Sequence, residues 1–356
     1  MDQNLFELYP DYLLCSFNQT SATGLSAMLD GAYSHDKVTR LLSQNDFTSK
    51  TLWSQVKSTV RQLEKEDGVL IFDDTVQAKP YSDEDELITW HFDHNEGRSV
   101  KGVNLLNCVY SVDEITIPVA FELIKKPLQY SEIKTHKVKR KALQTKNEDF
   151  RRLLSVCCNN EIKFRFVLTD SWFSSKRNML FTRHDCHKDF IMAMKSNRRV
   201  WLTAPEEQGN TSFRLDELKF EDNKPLKAWI TGVDFPVLLH RIIFKNKDDS
   251  EGILYLACSD LTCDAETIKT IYHKRWNVEV FHKVLKSNAS MAKSPASKVK
   301  TQSNHIFMSI YAAFKLACLS LKKHTNPFAL KAKLYIKAIQ ASFALLNDMK
   351  GEECVR

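Results

Sequence analysis

No apolar run in the 356-residue sequence approaches the ~18 residues that span a bilayer. The opening MDQNLFELYPDY has neither the basic start nor the apolar core of a secretory leader. Both absences lead us to expect a cytoplasmic protein with no membrane partner. No C-x-x-C pair occurs among the nine cysteines; Cys157 and Cys158 are adjacent, and four residues separate Cys258 from Cys263. The cluster His184-x-Cys186-His187 lacks a second ligand pair at zinc-finger spacing. A structural zinc and a disulfide framework are thereby set aside, and the cysteines read as reduced, small buried hydrophobes. No internal repeat is present, and low complexity is confined to SNASMAKSPASKVKTQSN, residues 287–304, a linker or contact loop.

Acidic residues are almost missing from residues 281–350. Twelve lysines face one acid, Asp348, so the segment carries +11 in a chain whose total is +7. The remainder is net acidic, interrupted by a second basic run, KTHKVKRK, at Lys134–Lys141. Such segregation is the footprint of a polyanion partner. Nucleic acid ranks above membrane because no segment reads as a basic amphipathic membrane helix. A solvated lysine-rich surface would give the same counts. The rest of the composition, 43% hydrophobic and 27% charged, fits a globular chain of two or three domains.

Residues 1–67 read as helical, with segments at Ser21–Leu29, Ser34–Leu42 and Lys50–Glu66. Ser34 is placed to cap the second, and Gly31 breaks the chain before it. Helix, glycine turn and helix form a helix-turn-helix pattern in which His35, Lys37 and Arg40 are the polar residues able to reach DNA, although short helical hairpins are common. At Gly68 the pattern changes to the apolar run VLIF, a strand buried on both faces that ends in Asp73, Asp74 and Thr75. After a loop with Asn95, Gly97 and Arg98 come strands at Val100–Val112 and Ile115–Leu123. They are followed by a helix near Glu148–Cys157, a strand Phe164–Thr169 running into Asp170, a helix from Ser174 and a strand Asp189–Met194. Three strands, helix, strand, helix and strand make a mixed α/β sheet in the order of the ribonuclease H-like core. The division expected is thus an N-terminal helical region at 1–67, the first part of the core at 68–194, a β-rich insertion at 195–261, a core helix region at 262–300, and a C-terminal helical region at 301–356 for DNA binding or dimerisation. Helices are expected there at His305–Leu321 and Pro327–Leu346.

Two strands therefore each end in an aspartate, in LIFDDT and FVLTDSW. A carboxylate at such a place must stay in water, find donors or bind a cation, and magnesium takes oxygen ligands of this kind. A helix cap or turn role is the commoner use of one strand-end aspartate. On a continuous helix from Ala265 to Leu285, Tyr272, Arg275, Glu279 and Lys286 fall within about 60° of one another, opposite the apolar stripe of Ile271, Val278, Phe281, Val284 and Leu285. This is either a solvated face with Arg275 and Glu279 as an i,i+4 pair worth ~0.3 kcal/mol, or a metal-ligating Glu279 with Tyr272, Arg275 and Lys286 holding phosphates beside it.

The spacing Tyr272-x2-Arg275-x3-Glu279-x6-Lys286 resembles the Y-R-E-K signature of the insertion-sequence DDE transposases, cut-and-paste enzymes of bacterial composite transposons. RWNVEVFHKVLK is similar to the run around that signature, and IFDDT and LTDSWF look like the family's two aspartate segments, so the likeness covers roughly residues 68–323. The resemblance implies a catalytic and metal-binding triad of Asp73, Asp170 and Glu279. Asp73 is preferred to Asp74 because Asp73-Asp74-Thr75 fits the family's D-x-[ST]; strand alternation alone does not choose. It also implies two Mg²⁺ ions, replaceable by Mn²⁺, and DNA contacts from Tyr272, Arg275, Lys283 and Lys286. An inserted-strand aromatic that stacks a flipped base is implied as well: Tyr255, with Trp229 and Trp201 behind it, unless these rings are sheet core. The reaction expected is nicking, hairpin formation and strand transfer into target DNA. A homodimer would hold two terminal inverted repeats of double-stranded DNA at the bacterial nucleoid. A nuclease on the same core that never joins, and a domesticated non-catalytic DNA-binding protein, are the alternatives.

Overall fold

The computed structural model describes residues 2–93, 96–133, 136–204, 211–246 and 248–352. Asn95 of the expected loop, and Lys134 and Thr135 of the second basic run, lie outside the described residues. The chain groups into two compact units: Met1–Leu52 with Gln77–Val103 and Phe281–Arg356, and Trp53–Val76 with Asn104–Val280. The fold class is mixed α/β, a ribonuclease H-like sheet with helical regions before and after it.

The second unit is built on the sheet. Its strands are β1 (Val69–Ala78) as far as Val76, β3 (Arg98–Val112) from Asn104 onward, β4 (Ile115–Leu123), β7 (Phe166–Thr169) and β8 (Asp189–Met194), followed by β9 (Arg199–Trp201), β10 (Phe213–Arg214), β11 (Leu226–Ile230), β12 (Pro236–Lys245) and β13 (Glu251–Cys258). β2 (Thr89–Asp93) pairs with the start of β3 in the first unit. A separate hairpin, β5 (Leu128–Ser131) with β6 (Val138–Lys141), takes up the described part of the second basic run. β1 pairs parallel with β7 and β7 parallel with β8, while β3 pairs antiparallel with β4 and neighbours β1. That is the order of a ribonuclease H-like core. The insertion does not form a sheet of its own: β13 adds antiparallel to β8, and β12, β11, β9 and β10 follow in turn.

The central strands read as continuous apolar runs because both faces are covered. Val69 to Phe72 are fully buried. On one face lies α5 (Lys146–Asn159), whose start is fixed by a capping box between Thr145 and Glu148. Its Phe150 meets Phe72 edge-on at 4.6 Å and stacks on Phe173 at 5.8 Å. α6 (Lys176–Leu180) runs into a π-helical turn, Phe181–Asp185, before β8. In contrast to the sequence expectation, Asp73, Asp74 and Thr75 do not end β1, which continues to Ala78. The expected helix Ala265–Leu285 is also two helices, α7 (Ala265–His273) and α8 (Trp276–Ser287), joined at Lys274 and Arg275. There the backbone switches to i→i+3 bonds, with Lys274 N–H donating to Ile271 and Arg275 N–H to Tyr272.

In the first unit, α1 (Gln3–Cys15), which the sequence did not reveal as a separate helix, packs with α3 (His35–Gln44) on α9 (Val299–Lys323). Phe6, Phe47 and Phe307 form one aromatic cluster. α2 (Ala22–Met28) is capped by Ser21, and Ser34 Oγ caps α3 by accepting the Lys37 N–H. In contrast to the sequence expectation that no apolar stretch reaches the length of a membrane span, α9 is apolar and long enough to cross one, and 67% of its most apolar window is buried in the protein. α10 (Pro327–Glu352) instead leaves Ile336, Ile339, Phe343 and Leu346 exposed. The described cysteines are all free thiols.

Candidate active site

β1 and β7 run in register with Phe72 opposite Thr169. The next residue on each segment is therefore an aspartate, Asp73 and Asp170, and adjacent parallel strands bring the two together. Burial and the neighbouring Asp170 charge push the Asp73 carboxyl up from 3.8 to about 7, against the opposing pull of Arg275. Burial likewise raises Asp170, whose Oδ1 accepts the backbone N–H groups of Trp172 at 3.0 Å and Phe173 at 3.4 Å.

Side-chain alternation along β1 separates the two adjacent aspartates. Asp74 is held by Lys146 of α5, whose Nζ lies 3.0 and 2.9 Å from its two oxygens, and by Asn104 Nδ2 at 2.7 Å. Asp73 instead faces Arg275. One guanidinium nitrogen of Arg275 lies 3.4 Å from Asp73 Oδ2, and the other lies 2.6 Å from Glu279 Oε1. The break between α7 and α8 puts Arg275 at the junction, so that one planar fork reaches both acids. Tyr272, at the end of α7, is buried and donates its hydroxyl to the Thr169 carbonyl at 3.2 Å, tying that helix to the strand that delivers Asp170. Asp73, Asp170, Tyr272, Arg275 and Glu279 thus occupy one neighbourhood of the second unit.

Residues 4–227 match the family described as DDE superfamily endonuclease. The chain belongs to that family. No curated protein matches it. The matched span of this DDE endonuclease includes Asp73 and Asp170 and stops before the Tyr272–Lys286 spacing.

Members of such a family imply a divalent metal. Among the described residues no three His, Cys, Asp or Glu side chains converge on one point able to hold an ion. The donor chemistry nevertheless fits one: Asp73 and Asp170 are hard oxygen donors whose mutual repulsion a cation relieves. The Arg275 guanidinium, between Asp73 and Glu279, stands in for that positive charge.

The other residues singled out from the sequence are not among these five. Lys283 is exposed and Lys286 half-buried in the last turns of α8, within the first unit. Lys37 and Arg40 are exposed on α3, the Lys37 ammonium 5.7 Å from the Tyr33 ring centre. Tyr255 is buried in β13 against Phe220, with ring centres 5.7 Å apart. Trp229 and Trp201 are half-buried and opposite each other across β11 and β9. His184 binds Asp234 at 2.8 Å. Two residues near the acids had no signal in the sequence: Lys146 and Asn104. A lysine inside a helix start and an asparagine inside a strand look like any surface or core residue until the fold sets them beside Asp74.

Proposed function

We propose that this DDE endonuclease is a transposase that cuts the ends of a mobile DNA element and joins them to target DNA. As a DDE endonuclease it acts on DNA. The observation that supports the fuller reading most is the meeting of Asp73 and Asp170 on adjacent parallel strands, with Arg275 linking Asp73 to Glu279. Asp73, Asp170 and Glu279 would hold the divalent ions, Mg²⁺ or Mn²⁺. Held there, such ions would supply activation of the attacking hydroxyl and stabilisation of the oxygen that leaves phosphorus. Arg275 balances the charge of Asp73 and Glu279, and its fork is of the kind that holds a phosphate next to the scissile bond. Tyr272 positions the Asp170 strand. Lys283 and Lys286 of α8, and Lys37 and Arg40 of α3, supply DNA-phosphate contacts, and a pair of element ends requires a homodimer. We assign the exposed apolar face of α10, Ile336, Ile339, Phe343 and Leu346, to contact with a second copy.

Incubation of the protein with labelled element ends, a target plasmid and Mg²⁺ tests the reading. Hairpin ends and joined products support transposition. Nicks without joining reduce the protein to a nuclease on the same core. Binding without any metal-dependent cleavage would make it a non-catalytic DNA-binding protein.

A further inference from the structure

Beside Asp170 lies a cleft of about 570 Å³ lined by Trp172, Lys176, Lys195, Arg198 and Arg199, with serine, threonine and asparagine side chains between them. Its described lining holds four cations and no carboxylate, and none of the four is in an ion pair with an acid among the described residues. That is unusual in a unit where exposed arginines commonly have acid partners, as Arg165 has Asp260 and Arg214 has Asp216. Arg198 is the fixed element: its guanidinium donates to the Ser174 carbonyl. Arg199 donates to the Ser212 carbonyl at 3.2 Å and to its hydroxyl at 3.0 Å, while Thr231 Oγ1 donates to the Arg199 carbonyl at 3.0 Å. Lys176 crosses the turn at Gly232, where φ is +82° and an added Cβ would stand 3.0 Å from the lysine stem.

Trp172 gives the cleft a second kind of surface. It is 41% exposed, with Lys146 4.9 Å and Lys195 6.0 Å from its ring centre. Its backbone N–H donates to Asp170 Oδ1, and Lys146, which lies against its ring, also holds Asp74, so the residue is tied to the acid cluster. Four cations with no acid partner among the described residues, and an exposed indole, are the two components of a surface that takes single-stranded nucleic acid: charge for the backbone and a π-face for a base.

We infer that this cleft carries the phosphodiester backbone of a DNA strand running past Asp170, with Trp172 as the platform on which one of its bases stacks. The inference rests on the proposed function of the acid cluster and adds the path of one strand beside it.

The test is fluorescence anisotropy of the full chain in EDTA, using a labelled oligodeoxynucleotide about twenty nucleotides long, as single strand and as a duplex with a single-stranded tail, over a range of KCl. The double variant Lys176→Gln/Lys195→Gln changes exposed side chains and keeps the fold. It should bind the tailed duplex about tenfold or more weakly at low salt, with the slope of log K against log salt reduced by about 1 to 2. Trp172→Ala should weaken binding about tenfold with the slope unchanged, and Trp172→Phe should recover most of the loss. The control Lys224→Gln, at an exposed ion pair with Glu221, should bind as wild type. If wild type binds DNA and cleaves it with Mg²⁺ while the cleft variants keep full affinity and slope, the strand path is wrong and the acid-cluster reading stands. If inorganic phosphate alone saturates the cleft and the variants discriminate no DNA, the site is for a small anion and the inference falls. If wild type binds neither probe, the inference and the proposed function fall together.

Discussion

At the scale of single residues, the adjacent aspartates show what a sequence holds and what it hides. The run LIFDDT announced a carboxylate at a sheet site, but only the pairing of Phe72 with Thr169 and the Lys146 bridge give Asp73 and Asp74 different environments. Asp73 carries a protonation cost that can be measured. Its folded pKa, about 7, lies above its ordinary 3.8, so between those values the folded state binds more protons than the unfolded, and stability falls as pH rises through the window. In metal-free buffer, Asp73→Asn should remove that slope and raise stability near pH 8 by up to a few kcal/mol, read by urea titration. The same variant, like Asp170→Asn and Glu279→Gln, should lose metal-dependent cleavage by about a hundredfold or more. An active Asp73→Asn beside a dead Asp74→Asn would reverse the assignment. His305 slopes the other way. It is wholly buried between the Tyr9 hydroxyl at 3.1 Å and the Ser290 carbonyl at 3.0 Å, and burial lowers its pKa from 6.5 to about 4. The unfolded state then binds the extra proton, so stability is lost as pH falls from about 6.5 to about 4. His305→Gln should flatten that acid limb in thermal melts across the same range.

At the scale of elements, the periodicity of 265–285 was legible and its interruption was not, because a tightened turn leaves the apolar stripe intact. The interruption places Arg275 between α7 and α8, and its role is testable apart from DNA. Arg275→Ala leaves the acids without their cation, so metal-free stability should drop by about 1–3 kcal/mol. Mn²⁺ affinity by calorimetry should hold or rise, since the metal no longer displaces a guanidinium. A loss of Mn²⁺ binding equal to that of Glu279→Gln would mean that Arg275 organises the ligands instead of competing for them. β1 was read as stopping at its polar residues because an apolar run is the only strand signal there, yet it continues to Ala78 alongside β3. That continuation depends on Gly102, where a Cβ would stand 2.1 Å from the Gln77 carbonyl oxygen. Gly102→Ala should therefore cost ~3 kcal/mol in denaturant titration, or prevent folding. The exposed hairpin of β5 and β6 and the short β2 escaped the sequence reading because brief, half-polar strands have no period long enough to count.

At the scale of the whole molecule, the segregation of charge was read from composition, but where the lysines sit was not. Lys331 donates to the carbonyls of Leu14 and Ser16, and Lys315 contacts Glu7 and Asp11, so part of the basic C-terminal stretch is internal structure. Deleting the whole basic stretch would remove α9, the core helix of the first unit, and so would say little about DNA. The cleaner test neutralises exposed positions on α10: Lys333→Gln/Lys337→Gln should reduce the salt slope of DNA binding by about 0.9 for each phosphate that the variant no longer neutralises. An unchanged slope would remove α10 from the DNA footprint. The pairing of β1 with β7 also bears on the timing of synthesis. The first aspartate of the cluster emerges early from the ribosome, but its parallel neighbour comes much later, and the glutamate later still, after every strand of the insertion. Contacts so distant in sequence form slowly and only once both partners exist. A nascent chain that stops short of α8 therefore lacks the glutamate, and its acid cluster stays incomplete until that helix has been made.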